Sequence, residues 1–283
     1  MFARLSRSWT LVKASASVLR QDKELLVFPM VSLVALGFVM AAFILPIFGL
    51  GMLDGMSGGD SATLEVGVYV VAFLFYFCQY FVIFFFNAAL VGAAMIRLDG
   101  GNPTLGDGLR IATSRIGAIA GYAFIAATVG MILRAIQGRV GFIGKIVVAM
   151  LGVGWALATY LVVPVLVVQK VGPIDAIKES ALLLKKTWGE NVIGQAGIGL
   201  AFGFIFMGVI LVSIVLMFGA FASGSVAVVV AAAVVVLLAV GLTGLIQAAL
   251  GGIYAAALYR YAGTGKPTPG FEPETLKLAF APK

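Results

Sequence analysis

The 283-residue sequence has no histidine and a single cysteine, Cys78, and only 11% of its residues are charged. With no histidine and only one cysteine, the chain cannot form a His/Cys metal site, a Cys-His nucleophile pair or an internal disulfide. Soluble domains have roughly 25% charged residues, so this chain lacks the polar groups that would cover its surface in water. These absences predict a membrane protein with no metal and no cofactor.

Hydrophobic residues make up 62% of the chain, and the mean hydropathy is +1.12. A helix crosses the hydrocarbon core with about 20 apolar residues. Runs without Asp, Glu, Lys or Arg reach this length repeatedly, and they predict an all-α membrane domain over residues 1–262 with six transmembrane helices. The expected spans are 25–53, 66–96, 117–133, 146–168, 192–222 and 226–259.

The basic residues are shared unevenly between the two sides of these spans. Sixteen of the nineteen Lys and Arg residues fall in the N-terminal segment, the second and fourth connections, and the segment after the last span. The positive-inside rule places this side in the cytoplasm. We therefore expect a multi-pass inner-membrane protein with both termini cytoplasmic, ending in a Pro-rich cytoplasmic tail over 263–283.

Each pair of spans is preceded by an apolar stripe at helical spacing with basic residues beside it, over 2–19, 105–116 and 174–188. This pattern is typical of helices that lie in the membrane interface. Pro103 leading to Asp107 and Pro173 leading to Asp175 mark the starts of the later two. We interpret the chain as three hairpins, each preceded by an amphipathic interfacial helix.

The third stripe predicts the sharpest site, with Ile177, Ala181, Leu184 and Trp188 in the interface and the lysines on anionic headgroups. Membrane lipids are thus the expected partners. The alternative is that helix 173–188 only caps the bundle. The lipid-interface candidates are Trp9, Lys178, Lys185, Lys186 and Trp188.

Uncharged polar residues inside the spans predict a polar bundle interior, because polar groups in hydrocarbon need partners. Neighbouring phenylalanines of the second span should then face lipid. The polar stripe is either interhelical hydrogen-bond glue or the wall of a narrow path for a neutral or amphiphilic solute. Its members are Tyr76, Gln79, Tyr80 and Asn87 on the second span, with Gln195 and Gln247 as partners on later spans.

Small residues at four-residue steps predict close helix packing in the last two spans, the alternative being a glycine-lined pore. They are Gly199, Gly203, Gly244, Ala248, Gly252 and Ala256.

A short outer loop is unexpectedly basic, with Arg134, Arg139 and Lys145. These three either snorkel to phosphates or form a positively charged vestibule for anions or lipid headgroups.

The spans contain no carboxylate, which disfavours proton- or sodium-coupled transport. Charged residues over 175–191 recur at three- and four-residue steps, as on a solvated helix face, so no catalytic residue is assigned. We expect a non-enzymatic component that organises lipids or partner proteins at the cytoplasmic face, with a protein partner or homo-oligomer but no nucleic acid. The alternative is a passive permease or channel subunit.

Short motifs also carry a family resemblance. They are Arg7-Ser8-Trp9, Asp22-Lys23-Glu24-Leu25, Phe28-Pro29, Val162-Val163-Pro164-Val165, Gly172-Pro173-Ile174-Asp175-Ala176-Ile177-Lys178 and Lys186-Thr187-Trp188-Gly189-Glu190-Asn191. With them the chain resembles a family of uncharacterised bacterial integral membrane proteins, a domain of unknown function. Its plan is also distantly similar to the membrane domain attached to some glycerophosphodiester phosphodiesterases, without their catalytic barrel. The resemblance implies that the protein lies in a bacterial inner membrane, and it identifies no catalytic residue.

Overall fold

The computed structural model describes residues 13–49, 61–186 and 188–264, and over these ranges it contains helices and turns but no strand. The helical segment 13–21 (α1) leads into a 3-10 helix, Lys23–Leu26. The remaining helices are α2 Val27–Gly49, α3 Ser61–Leu98, α4 Leu105–Ser114, α5 Ile116–Arg139, α6 Phe142–Ala158, α7 Val162–Gln169, α8 Pro173–Lys186, α9 Trp188–Ala222 and α10 Val226–Thr264.

Six stretches of the described residues are long and apolar enough to cross a membrane. The predicted all-α fold with six spans is therefore confirmed, and the chain is a multi-pass membrane protein. Except for Gly263 and Thr264, which end α10, the predicted tail lies outside the described residues, as does the first part of the stripe over 2–19. The spans are Lys23–Pro46, Gly67–Leu98, Ile116–Arg139, Phe142–Gln169, Phe202–Ala222 and Val226–Gly263.

The fourth span is broken. α6 ends at Ala158 and α7 begins at Val162, with a turn between them. Pro164 explains the break, because proline has no amide hydrogen and its ring would clash with the carbonyl of Tyr160 in a continuous helix. The apolar run predicts one span of the right length, but it does not reveal this interruption.

The chain divides into two compact units. In the first unit, which holds residues 13–26, 94–102 and 188–264 of the described chain, α9 packs against α10, and α10 also contacts the 3-10 helix. In the second unit, α8 packs against α5, α6 and α7. The first core contains Leu25, Ile253, Tyr254 and Leu258, and the second contains Ile119, Leu161, Val162 and Leu166.

Candidate functional site

Helix α8 is fixed beside the broken fourth span by one buried hydroxyl. Ser180 Oγ donates to the carbonyl of Ala158 at 2.7 Å and accepts from the amide of Leu161 at 3.1 Å. These two backbone groups flank the break that Pro164 causes. Since unpaired backbone groups are costly in an apolar interior, Ser180 stabilises the break and holds α8 in place.

The two faces of α8 differ sharply in exposure. Ala176, Ser180 and Leu184 follow one another at four-residue steps and are all buried. On the opposite side, Ile174 and Leu182 are 59% and 60% exposed, and two lysines between and beside them are also exposed. Helical geometry puts these four residues within an arc of about 80°. We call this surface the α8 basic face, made of Ile174, Lys178, Leu182 and Lys185.

The α8 basic face is not the face that the sequence pattern assigns to the membrane interface. Leu184, predicted to lie in the interface, is buried against the protein, and Ile177 and Ala181 are half-buried. The physical reason is that short Ala176 and hydrogen-bonding Ser180 let α8 approach the broken span closely, so that face turns inward.

The other lipid-interface candidates are placed only in part. Lys178 and Lys185 are exposed, and Lys178 forms an exposed ion pair with Asp175 at 3.6 Å. α8 ends at Lys186 and α9 begins at Trp188, but the side chains of these two residues, and all of Trp9, lie outside the described part of the structure. Their predicted contact with headgroups stays a prediction.

Helix α4 has a similar division between a packed and an exposed side. Thr104 and Asp107 form a reciprocal capping box, in which each side chain accepts from the backbone amide of the other, at 3.2 and 3.0 Å. Hydrogen bonds from the Thr104 hydroxyl and amide hold the pKa of Asp107 below its usual value. Gly108 and Ala112 are buried, whereas Leu109 and Arg110 are exposed.

Gly108 allows this packing because no side chain would fit there. A Cβ at this position would lie 2.7 Å from the carbonyl oxygen of Ala89 on α3 and 2.5 Å from the ring of Phe28 on α2. A carbonyl oxygen of a helix backbone cannot move aside easily. α4 is therefore held against the spans through backbone contact, with its basic side turned away from them.

The predicted polar stripe of the second span lies partly along the contact between α3 and α5. Its four members on α3 are half-buried, and the guanidinium of Arg134 lies 5.1 Å from the centre of the Tyr76 ring. Gly130 faces Tyr80, whose hydroxyl would be 3.4 Å from an added Cβ. On α10, Gln247 is half-buried, and the side chain of Gln195 lies outside the described residues.

Phenylalanines expected to face lipid instead make contacts within the second unit. The rings of Phe73 and Phe77 lie 5.2 and 6.4 Å from that of Phe124 on α5, and Phe84 lies 4.4 Å from Tyr122. Aromatic pairs gain both buried area and favourable edge-to-face geometry. These rings therefore hold α3 against α5, a role that the sequence pattern did not assign.

The three residues predicted to form an outer basic loop lie near the turn between α5 and α6. Arg134, Arg139 and Lys145 are all exposed, and Arg134 is positioned by Tyr76. Phe142 and Ile143, at the start of α6, are 80% and 77% exposed. The turn thus combines basic and apolar side chains, which suits both the snorkelling and the vestibule hypotheses.

The predicted packing seam of the last two spans differs along its length. A Cβ at Gly203 or Gly244 would meet no atom within 4 Å, and Ala248 is exposed, so these positions do not bring helices together within the chain. Between α9 and α10 lies a groove whose lining includes Ile210, Ser213, Val236 and Val240. Gly252 and Ala256 are buried, and the surroundings of Gly199 lie outside the described residues.

A cluster of charged residues in the first unit was not among the sequence-based site residues. Arg97 donates to Gln21 Oε1 at 3.4 Å, to the Gly101 carbonyl at 3.3 Å and to Asn102 Oδ1 at 3.5 Å. Arg260, near the end of α10, binds the carboxylate of Asp99 at 2.6 Å and the carbonyl of Leu98. We call this cluster the charged junction, made of Gln21, Asp22, Arg97, Asp99, Asn102 and Arg260.

Asp22 is the buried member of the charged junction. Its backbone carbonyl accepts from the amide of Leu25 at 3.3 Å, which starts the 3-10 helix, and its side chain is 7% exposed. Burial raises the pKa of Asp22 above its usual value, against the attraction of Arg97, which lowers it. The sequence signal for the junction is weak. Arg97 and Arg260 directly follow the second and sixth apolar runs, but Gln21, which pairs with Arg97, and Asp99, which pairs with Arg260, are distant from them in the chain.

These features define a class, a multi-pass membrane protein whose six candidate spans have few residues buried within the described chain. The chain belongs to a family of unknown function (DUF6159), whose model matches residues 66–270. No curated protein matches it. The predicted resemblance to an uncharacterised family is confirmed, while the distant similarity to phosphodiesterase-linked membrane domains stays a prediction.

Proposed function

We propose that this protein is a non-enzymatic component of a bacterial inner membrane that binds anionic phospholipid headgroups at the cytoplasmic face and organises lipids there. The observation that carries the proposal is the α8 basic face. It alternates exposed apolar and exposed cationic side chains on one side of a helix whose other side is packed against the protein.

This alternation suits the boundary between headgroups and acyl chains. Ile174 and Leu182 would sink to the acyl boundary, while the ammonium groups of Lys178 and Lys185 would meet lipid phosphates. Each cation near an anionic surface contributes about 1 kcal/mol. Because Ser180 already fixes α8 on the broken span, binding lipid would order little additional backbone.

The orientation within this proposal follows from the distribution of charge. With both termini in the cytoplasm, α4 and α8 lie on the same side as sixteen of the nineteen basic residues, where anionic lipids are most attracted. The spans would form three hairpins, each preceded by a helix on the cytoplasmic surface. Arg110 and Leu109 on α4 would then add a second, smaller contact with the same leaflet.

Lipid retention by the purified full-length protein tests this function. The variant Lys178→Gln/Lys185→Gln should retain anionic phosphatidylglycerol at least about tenfold more weakly than the wild type, because two headgroup contacts of about 1 kcal/mol each are lost. Retention of zwitterionic lipid should not change. The matched control, Lys178→Arg/Lys185→Arg, keeps both charges and should behave as the wild type. Equal phosphatidylglycerol retention by a folded glutamine variant would contradict the proposal.

The competing hypothesis of a passive permease or channel subunit makes a different prediction for the same protein. A path along the polar stripe of α3 would let small solutes cross liposomes above an empty-liposome control. Flux that persists in the glutamine variant, together with unchanged lipid retention, would favour the permease. The lipid proposal expects selective retention without flux.

A further inference from the structure

The charged junction contains a buried carboxylate oxygen without a partner. Asp22 Oδ2 accepts no hydrogen bond from the described residues, and the side chain is 7% exposed. The backbone amide of Glu24 binds the carboxylate, so only part of its accepting capacity is used. An ionised carboxylate in this position would be far more costly than a neutral carboxyl, because a buried charge needs both pairing and full hydrogen bonding.

Arg97 directs its hydrogen bonds away from this carboxylate. Its three acceptors, on Gln21, Gly101 and Asn102, are neutral oxygens, and the donor–acceptor distances are 3.3–3.5 Å. Hydrogen bonds between a cation and a carboxylate are typically about 2.7–2.9 Å long and roughly twice as strong as neutral ones. The arrangement is therefore the one expected when Asp22 is uncharged.

The other charged groups around Asp22 do not supply a competing partner. On its own segment, Arg20, Lys23 and Glu24 are exposed, and the negative charge of Glu24 raises the pKa of Asp22. On α10, which packs against the 3-10 helix, Arg260 is bound to Asp99 and to the Leu98 carbonyl. The remaining titratable side chains near the end of α10 are Tyr254, Tyr259 and Tyr261.

We propose that Asp22 is a proton-binding site that determines the partner of Arg97. With a proton on Asp22, the guanidinium stays on the three neutral oxygens, as in this structure. When the carboxyl releases its proton to bulk water, the new carboxylate attracts the guanidinium, which leaves these long bonds for a charge-assisted pair. The proton would thus control how the N-terminal segment is tied to the end of the second span.

The burial of Asp22 and the attraction of Arg97 act on this site in opposite directions. Burial raises the pKa of Asp22 above its usual value of 3.8, and Arg97 lowers it. Removing the positive charge of Arg97 should therefore raise the midpoint of the titration further. This response distinguishes a coupled proton site from a carboxyl that only caps a helix.

Infrared difference spectra of the full-length protein in lipid nanodiscs, titrated from about pH 8 to about pH 4, test the proposal through the protonated-carboxyl band. A band should grow as the pH falls. Exposed carboxyls also contribute to this band at about pH 4, so Asp22→Asn should remove only the component that appears at the highest pH, whereas the control Asp99→Asn, at an exposed carboxylate of the same junction, should keep that component. Arg97→Gln should shift the midpoint upward by about one pH unit, and Arg97→Lys, which keeps the positive charge, should leave it closer to that of the wild type.

Two results would overturn the proposal. If the component that appears at the highest pH persists in Asp22→Asn, the proton is on another carboxyl. A midpoint that does not move in Arg97→Gln would show that the two groups are not coupled, and this result can be obtained even if Asp22→Asn does not fold, since Asp22 is then still present.

Discussion

At the scale of single residues, Gly108 shows how one missing side chain sets the position of a helix. Its α-carbon faces the carbonyl oxygen of Ala89, and an added Cβ would lie 2.7 Å from that oxygen. Gly106, two residues earlier in α4, has only the Thr104 hydroxyl nearby, at 3.7 Å. The two glycines therefore form a matched pair in the same helix.

Gly108→Ala should destabilise the protein by about 1–3 kcal/mol, because the extra methyl group must push α4 away from α3. Gly106→Ala should be neutral or stabilising by about 0.5–1 kcal/mol, since alanine loses less backbone entropy in a helix. Thermal unfolding of both variants in the same detergent measures the difference. Equal melting temperatures for the two variants would contradict the close approach of α4 to α3.

The capping box of α4 predicts a defined pH response. Thr104 lowers the pKa of Asp107 below 3.8 in the folded protein, so the folded state binds this proton less readily than the unfolded state. The contribution of Asp107 is therefore complete above pH 3.8 and disappears as the pH falls through its folded pKa.

Asp107→Asn should accordingly lower the melting temperature at about pH 6 and have a smaller effect at about pH 2, where more of the wild-type carboxyl is also neutral. Melting curves at both pH values check this sign. An effect of Asp107→Asn that grows as the pH falls would contradict it.

At the scale of helices, the break in the fourth span and the position of α8 depend on each other. Ser180→Ala would leave the Ala158 carbonyl and the Leu161 amide without their partner, at a cost of about 1–3 kcal/mol. Ser114→Ala is the control, because Ser114 is exposed and bonds only to its own helix at Ile111. Hydrogen exchange should increase at α7 and α8 in Ser180→Ala alone. Unchanged protection there would mean that Ser180 does not hold the break.

Sequence reasoning predicted the helices well and their contacts poorly, for a physical reason. Crossing a bilayer requires a long apolar run, so each of the six spans can be recognised from its own stretch of sequence. Pro173 likewise marks the start of α8 from the residues at that position alone. Which face of α8 turns inward depends on the hydrogen bond between Ser180 and the break in the fourth span, which lies some twenty residues earlier in the chain. The pairing of Arg260 with Asp99 also joins distant segments. Neither contact has a local signal.

At the scale of the whole molecule, the two compact units carry different candidate functions. The second unit presents the α8 basic face, and the first contains the charged junction with its buried Asp22. The family match over residues 66–270 includes α8, Arg97 and Arg260 but not Asp22. Lipid binding at α8 and proton binding at Asp22 can therefore be tested separately in the same full-length protein.

The most direct test of the lipid-binding account is the membrane depth of the α8 basic face. The chain has one native cysteine, Cys78, so a Cys78→Ser background with Leu182→Cys gives a single attachment point for a spin label. In nanodiscs containing phosphatidylglycerol, the label should collide with dissolved oxygen and be shielded from a water-soluble nickel chelate. The same label on free cysteine in the surrounding buffer supplies the reference for exposure to water. Collision with the nickel chelate at position 182 as frequent as that of the free label would place the α8 basic face in water and contradict the account.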